Sequence, residues 1–137
     1  MNYAAIVQLL LRYGKLVGPK VRKAWVVVAP LLQKSPQARR MAEQFTAQMS
    51  KRRNGVQAQI DLAKQYAAEA MTEQTVTDRQ ETARSWSQRA KVLEMALRTT
   101  ENLPRKTAKP RRLEVAGSVD ELLAEMIETM GRWGLGT

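Results

Sequence analysis

The chain has 137 residues, a formal net charge of +10, and neither cysteine nor histidine. A chain of this length forms one domain at most. Because Cys and His supply disulfides, most metal sites and the commonest general base, we expect a non-enzymatic protein without metal or cofactor. Aromatic residues make up only 5% of the chain and Ala is abundant, which favours helix-on-helix packing and an all-α fold.

Residues 1–33 are predicted to form basic amphipathic N-terminal helices that break at Gly18-Pro19. Proline has no backbone N–H and disfavours the α conformation in the residue before it, so the first helix should end there. The second element, over residues 20–32, has three consecutive valines that would also suit a short strand. The helices on either side favour a helix that Pro30 bends or ends. Its predicted buried face comprises Val21, Trp25, Val28 and Leu32.

Residues 35–102 are predicted to form a long antiparallel helical hairpin of coiled-coil-like character. Ser35 is expected to cap the first helix, and Pro36 suits the first helical position. The apolar face keeps one direction on both sides of Gly55, which favours a single helix from Pro36 to about Met71, bent at Gly55. Two helices are the alternative, because cations followed by Gly55 also fit a helix end.

The second helix of this hairpin is predicted to begin at Thr77, which forms a capping box with Gln80 three positions later. Apolar residues then recur at alternating spacings of three and four. The facing alanines of the first helix let the two backbones approach closely, and Trp86 should fill the space beside them. The predicted hairpin seam comprises Ala63, Ala67, Ala70, Trp86, Ala90, Leu93 and Leu97.

Residues 103–117 are predicted to be a basic linker, because Pro104, Pro110 and five cations occur there with almost no apolar residue. Residues 118–134 are predicted to form a C-terminal amphipathic helix that opens with a capping box at 118–121. We expect its apolar stripe to contact a helix of a partner protein, although docking onto the chain's own hairpin stays open. The stripe comprises Leu122, Leu123, Met126, Ile127 and Met130.

The positive charge is concentrated near the N-terminus. Residues 1–55 carry eleven Lys and Arg side chains against one acidic residue, whereas residues 118–137 carry a net charge of −3. This asymmetry predicts that the N-terminal half docks to an acidic or anionic surface. The candidate contact residues are Arg12, Lys15, Lys20, Arg22, Lys23, Arg39, Arg40, Lys51, Arg52 and Arg53.

The function predicted from these features is that of an accessory or scaffold subunit that acts by protein–protein interaction within a larger assembly. One alternative is a sequence-nonspecific nucleic-acid-binding protein, since the cations could neutralise phosphates. Another is a peripheral membrane adaptor, since the first helix is basic and amphipathic; contact between copies of the chain also stays open. No apolar run approaches the roughly 20 residues of a membrane-spanning helix, so we expect a cytoplasmic protein, either free or at a membrane periphery.

Overall fold

The structure, a computed structural model, describes residues 3–14, 17–51, 55–73 and 76–135. Every regular element in these ranges is helical, which confirms the all-α fold class. Short 3-10 turns at Ala29–Gln33 and Thr100–Asn102 follow the second and fifth helices. The six α-helices are α1 (Tyr3–Gly14), α2 (Pro19–Val28), α3 (Pro36–Lys51), α4 (Gly55–Glu73), α5 (Thr77–Thr99) and α6 (Arg105–Leu135).

The starts of α2 and α3 follow the predicted local signals. Gly18 precedes α2 in an extended conformation, and Pro19 is the first residue of that helix. Ser35 Oγ accepts a hydrogen bond from the N–H of Ala38 at 3.2 Å, so Ser35 caps α3 as predicted. The α-helix gives way to a 3-10 turn just before Pro30. The predicted face of the second element is buried at all four positions: Val21, Trp25, Val28 and Leu32.

The prediction of a single helix over residues 36–71 is wrong, because α3 and α4 pack against each other in opposite directions. The hydroxyl of Tyr66 donates a hydrogen bond to the backbone carbonyl of Met41 at 2.8 Å. In one continuous helix these residues would lie about 37 Å apart. Both helices bury their apolar faces in the same core, and an apolar period that continues in phase does not exclude a break between them. Residues 52–54 lie outside the described ranges.

The helices α4 and α5 make the most extensive helix–helix contact in the described part of the chain. They run antiparallel, since Gln57 near the start of α4 donates to Glu94 near the end of α5 at 3.2 Å. The structure places Val76 at the N-cap position and Thr77 inside the helix, and Val76 makes no side-chain cap, so Thr77 is not the N-cap that the capping box predicted. The seam residues are buried, apart from the half-buried Leu93: Ala63, Ala67, Ala70, Trp86, Ala90 and Leu97.

The prediction of a linker over residues 103–117 is wrong, because α6 begins at Arg105 and runs through Pro110. Ala108 and Val115 are buried at 5% and 7% exposure, and they extend the apolar stripe of the C-terminal segment toward the N-terminus. Packing of this stripe offsets the one backbone hydrogen bond that Pro110 cannot donate. No helix boundary falls between residues 117 and 118.

The apolar stripe of α6 packs inside its own chain. The helix contacts α2, α3, α4 and α5, so it is the central element of the bundle. The expected contact with a partner helix through this stripe is therefore wrong, since the side chains already occupy the core. Each is exposed by 1% or less: Leu122, Leu123, Met126, Ile127 and Met130.

Asp120 fixes the position of α2 against α6. Its carboxylate accepts hydrogen bonds from the backbone N–H groups of Lys20 and Val21, each at 3.1 Å. The residue preceding α2 is Gly18, which offers no side-chain cap, so a carboxylate from α6 satisfies the first N–H groups of α2 and faces the positive end of that helix. The predicted capping box assigned Asp120 to its own helix, which instead begins at Arg105.

The two helices run parallel from this cap. A Cβ at Gly18 would collide with the Asp120 carboxylate. Farther along, a Cβ at Gly131 would lie 3.0 Å from a methyl group of Val28. Both glycines therefore lie at close contacts between α2 and α6, where a larger residue would push the two helices apart.

Candidate functional site

The described cations of the N-terminal half lie mostly on the surface. No Asp or Glu precedes Glu43 in the sequence, while eight Lys and Arg do. Lys15, Arg52 and Arg53 lie outside the described residues, and nothing is described of the Lys51 side chain. Among the remaining candidate contact residues Arg39 is half-buried, and the others are exposed: Arg12, Lys20, Arg22, Lys23 and Arg40.

These candidate residues do not form one surface. Arg22 lines a groove between α1 and α2. Lys20 lies on another side of α2, where its Nζ is 3.7 Å from a carboxylate oxygen of Glu121 on α6. Arg40 lies on α3 and pairs with Glu69 at 3.7 Å. The structure therefore places the predicted contact residues on different sides of the protein. Only some of them, such as Arg22, lie near an apolar groove.

That site is the α1–α2 groove, a concave and mostly apolar cleft of about 510 Å³. Leu11 on α1 and Val26 on α2 line it and are 62% and 64% exposed. Apolar side chains this exposed on facing helices are typical of a contact surface. The complete lining is Val7, Leu10, Leu11, Arg22, Trp25, Val26 and Ala29.

The helical period explains why the groove is left open. Ile6 and Leu10 turn the buried side of α1 toward the core, and Val21 and Trp25 do the same for α2. Val7 and Leu11 follow these buried residues on α1, one step around the helix, as Val26 follows Trp25 on α2. They lie on the flanks of the two helices that border the groove. The sequence placed Val26 off the buried face, but only the packing of α1 beside α2 reveals the cleft.

Trp25, which lines the groove, has a buried polar atom without a partner among the described residues. Trp25 is 4% exposed, and its ring meets the ring of Phe45 edge-on with centroids 5.4 Å apart. Its indole Nε1 is buried and makes no hydrogen bond within the part of the chain that the structure describes. A buried donor normally finds an acceptor, so this indole N–H is an exception within the described part of the core.

Among the residues that the structure describes, two titratable groups have shifted pKa values, and both connect helices. Burial, and next the charge of Glu69, raise the pKa of the Tyr66 hydroxyl, which joins α4 to α3. Burial alone would raise the pKa of the Glu94 carboxyl, but hydrogen bonds and nearby positive charges outweigh it and lower that pKa. The groups that lower it are Lys64, Gln57 and Arg98.

A second cleft, of about 490 Å³, lies between α5 and α6 around Glu125. The indole Nε1 of Trp86 donates to Glu125 at 3.1 Å, and Arg89 pairs with the same carboxylate. The ring of Trp86 stacks on Trp133 with centroids 5.4 Å apart. Because these polar groups bond to one another, the α1–α2 groove is the stronger candidate for binding.

Within the described ranges, no group of three or more acidic, Cys or His side chains could hold a metal ion. None of the described helices combines the length and apolar character that a membrane crossing requires. Comparison with known proteins finds no matching family model, no matching curated protein and no matching solved structure.

Proposed function

We propose that this protein is a non-enzymatic accessory or scaffold subunit that holds an acidic amphipathic helix of a partner protein in the α1–α2 groove. The observation that carries the proposal is the exposed apolar lining of the groove in a part of the chain without acidic residues before Glu43. A helix docks in such a groove by inserting apolar side chains spaced along one of its faces.

The chemistry of the groove determines the character of this partner. Burying Leu11 and Val26 removes apolar surface from water, which stabilises a complex by about 25 cal/mol per Å². Arg12 follows Leu11 in sequence, Arg22 lines the groove, and Lys23 lies three positions before Val26 on α2. Carboxylates flanking the apolar face of the partner would meet these cations, which speeds association and disfavours basic partners.

The concave shape favours a protein partner over a lipid bilayer. A bilayer surface would cover the rims at Leu11 and Val26 but leave the floor, formed in part by Leu10 and Trp25, without contacts. A helical ridge fills both.

The remaining helices serve as the scaffold in this proposal. The close packing of α4 and α5 along a seam of small side chains would act as a coiled-coil-like rigid support. Central α6 ties α2 to this pair through its apolar stripe. These contacts limit the motion of α2, while α1 packs against α2 and α3. A groove that is formed before binding loses less entropy when a partner binds.

The proposal is tested by nuclear magnetic resonance of the three tryptophan indoles. The probe is a helical peptide of roughly four turns with Leu at one face and Glu flanking it. We expect the Trp25 indole signal to move, while the Trp86 indole, which is bonded to Glu125, stays in place. A second peptide with Lys in place of Glu, and vesicles containing phosphatidylserine, are the comparison probes.

Substitutions on the surface show whether the groove is the site. The double variant Leu11→Glu, Val26→Glu should abolish the shift of the Trp25 signal. The matched control is Val92→Glu, Met95→Glu on α5, where the side chains are 64% and 67% exposed. A Trp25 signal that ignores the acidic peptide, or a groove variant that binds it unchanged, contradicts the proposal. A response to vesicles alone makes the protein a membrane adaptor instead.

A further inference from the structure

The first turns of α6 form a basic projection that the α1–α2 groove does not involve. Since α2 runs parallel to α6 and starts beside Asp120, residues 105–116 extend past the beginning of α2. Val115 belongs to the core, Ala108 is also buried, and most of the other side chains of this segment are exposed. Its cations lie around the exposed surface of the helix, with Arg111 on the opposite side from Lys109. Together they are here called the α6 basic face: Arg105, Lys106, Lys109, Arg111 and Arg112.

These cations form few polar contacts with one another or with the rest of the described chain. Only Arg112 has a polar contact, from its Nε to the hydroxyl of Thr100 at 3.3 Å. Within the described parts of the chain, the other four cations form neither an ion pair nor a side-chain hydrogen bond. Glu101, at the edge of the adjoining cleft, and Glu114, one turn farther along α6, are the acidic residues nearest to them in sequence.

The local physics of the helix opposes this arrangement. Arg105 and Lys106 occupy the first turn of α6, which contains no acidic residue, although the positive end of a helix disfavours cations. Arg105 and Lys109 repel each other at a spacing of four residues. Pro110 removes a backbone hydrogen bond as well. Sequences commonly depart from local helix preferences at functional sites. An anionic partner would be attracted to the same cations that repel one another and the positive end of the helix.

We propose that the α6 basic face binds the phosphate backbone of double-stranded DNA without reading its sequence. The segment from Arg105 to Arg112 is about 12 Å long at 1.5 Å per residue. A duplex of that length carries about seven phosphates, so all five cations have a potential partner. A helix with its side chains is about 10–12 Å wide and matches the major groove of B-form DNA.

The composition of the face argues against other anionic partners. It contains no aromatic residue on which unstacked bases of a single strand could lie. Leu113 is its one large exposed apolar residue, which is little for insertion into a membrane. Between residues 105 and 116 there is also no Asn or Gln to pair with an adenine edge. These features favour duplex DNA bound through phosphates.

The test measures fluorescence anisotropy of a labelled mixed-sequence duplex of roughly two helical turns with the full chain at several salt concentrations. Four or five phosphate contacts predict a slope of log K against log salt of about −4, and a loss in affinity on the order of 100-fold between about 50 and 200 mM salt. The triple variant Lys106→Gln, Lys109→Gln, Arg111→Gln should reduce the slope by about 3, and the double variant Lys106→Gln, Lys109→Gln by about 2.

The matched control removes the same charge elsewhere, through Lys34→Gln, Arg84→Gln and Lys91→Gln, all at exposed positions. It should retain the original slope. The thermal midpoint of the α6 triple variant should not fall, because its repulsions are relieved. The proposal is overturned by an equal loss in the control, by an unchanged slope in the α6 variants, or by phosphatidylserine vesicles that bind the same face as tightly as DNA does.

Discussion

The cap that Asp120 provides to α2 should contribute measurably to stability. Asp120 is 5% exposed, and its carboxylate accepts hydrogen bonds from two backbone N–H groups at the start of α2. Asp120→Ala leaves both donors without this acceptor. Each lost hydrogen bond costs about 1–1.5 kcal/mol, and the lost negative charge at a helix N-terminus costs up to about 1 kcal/mol more. We expect a total loss of about 2–4 kcal/mol.

The assay is denaturant unfolding followed by far-ultraviolet circular dichroism, with thermal unfolding beside it. For a chain of this size the expected loss corresponds to a fall of roughly 7–14 °C in the thermal midpoint. Gly18→Ala should act in the same direction, because its Cβ would collide with the carboxylate. The decrease in free energy of unfolding should appear without a change in the denaturant slope.

Glu121→Ala is the matched control for this prediction. Glu121 is the neighbouring carboxylate, and its ion pair with Lys20 is largely exposed, with side-chain exposures of 59% for Lys20 and 64% for Glu121. Exposed pairs of this kind contribute less than about 1 kcal/mol. An Asp120→Ala variant that is as stable as the original protein, or no less stable than Glu121→Ala, would refute the capping argument.

Three further predictions concern the stability of the fold. Trp86→Ala should cost about 3–5 kcal/mol in denaturant unfolding, because the ring is 1% exposed; a change below about 1 kcal/mol would contradict its packing. Truncation after Ala116 should abolish the cooperative thermal transition, since it removes the central stripe of α6, and a retained midpoint would show that this stripe is dispensable. Glu94→Gln should reduce stability at neutral pH. The lowered pKa of Glu94 means that its contribution exists above the ordinary value of 4.5 and is lost as the pH falls through the lowered pKa. A stability difference that persists unchanged in acid would contradict this sign.

The elements that were predictable from the sequence depend on neighbouring residues. Ser35 caps the helix that begins one residue later, and Gly18-Pro19 separates two helices. The buried face of α2 follows from the helical period. In each case the cause and its effect lie within a few positions, so pattern and propensity agree with the fold.

The elements that were missed depend on contacts between distant parts of the chain. Pro110 and its neighbouring cations disfavour a helix locally, but the burial of Ala108 and Val115 stabilises one. Periodicity cannot separate one long helix from two that face the same core, which is why the reversal before Gly55 was not predicted. The same limit applies to the groove, since the exposure of Val26 was visible in the sequence but its position opposite Leu11 was not.

The most direct test of the proposed function identifies what lies against the groove in the cells that make this protein. A photo-reactive phenylalanine analogue replaces Val26, and in a control protein it replaces Met95 on α5. Mass spectrometry of the crosslinked peptide should reveal a segment of another protein with net negative charge and apolar residues at helical spacing. Lipid adducts, peptides of this same chain, or equal crosslinking from Val26 and Met95 would contradict the account.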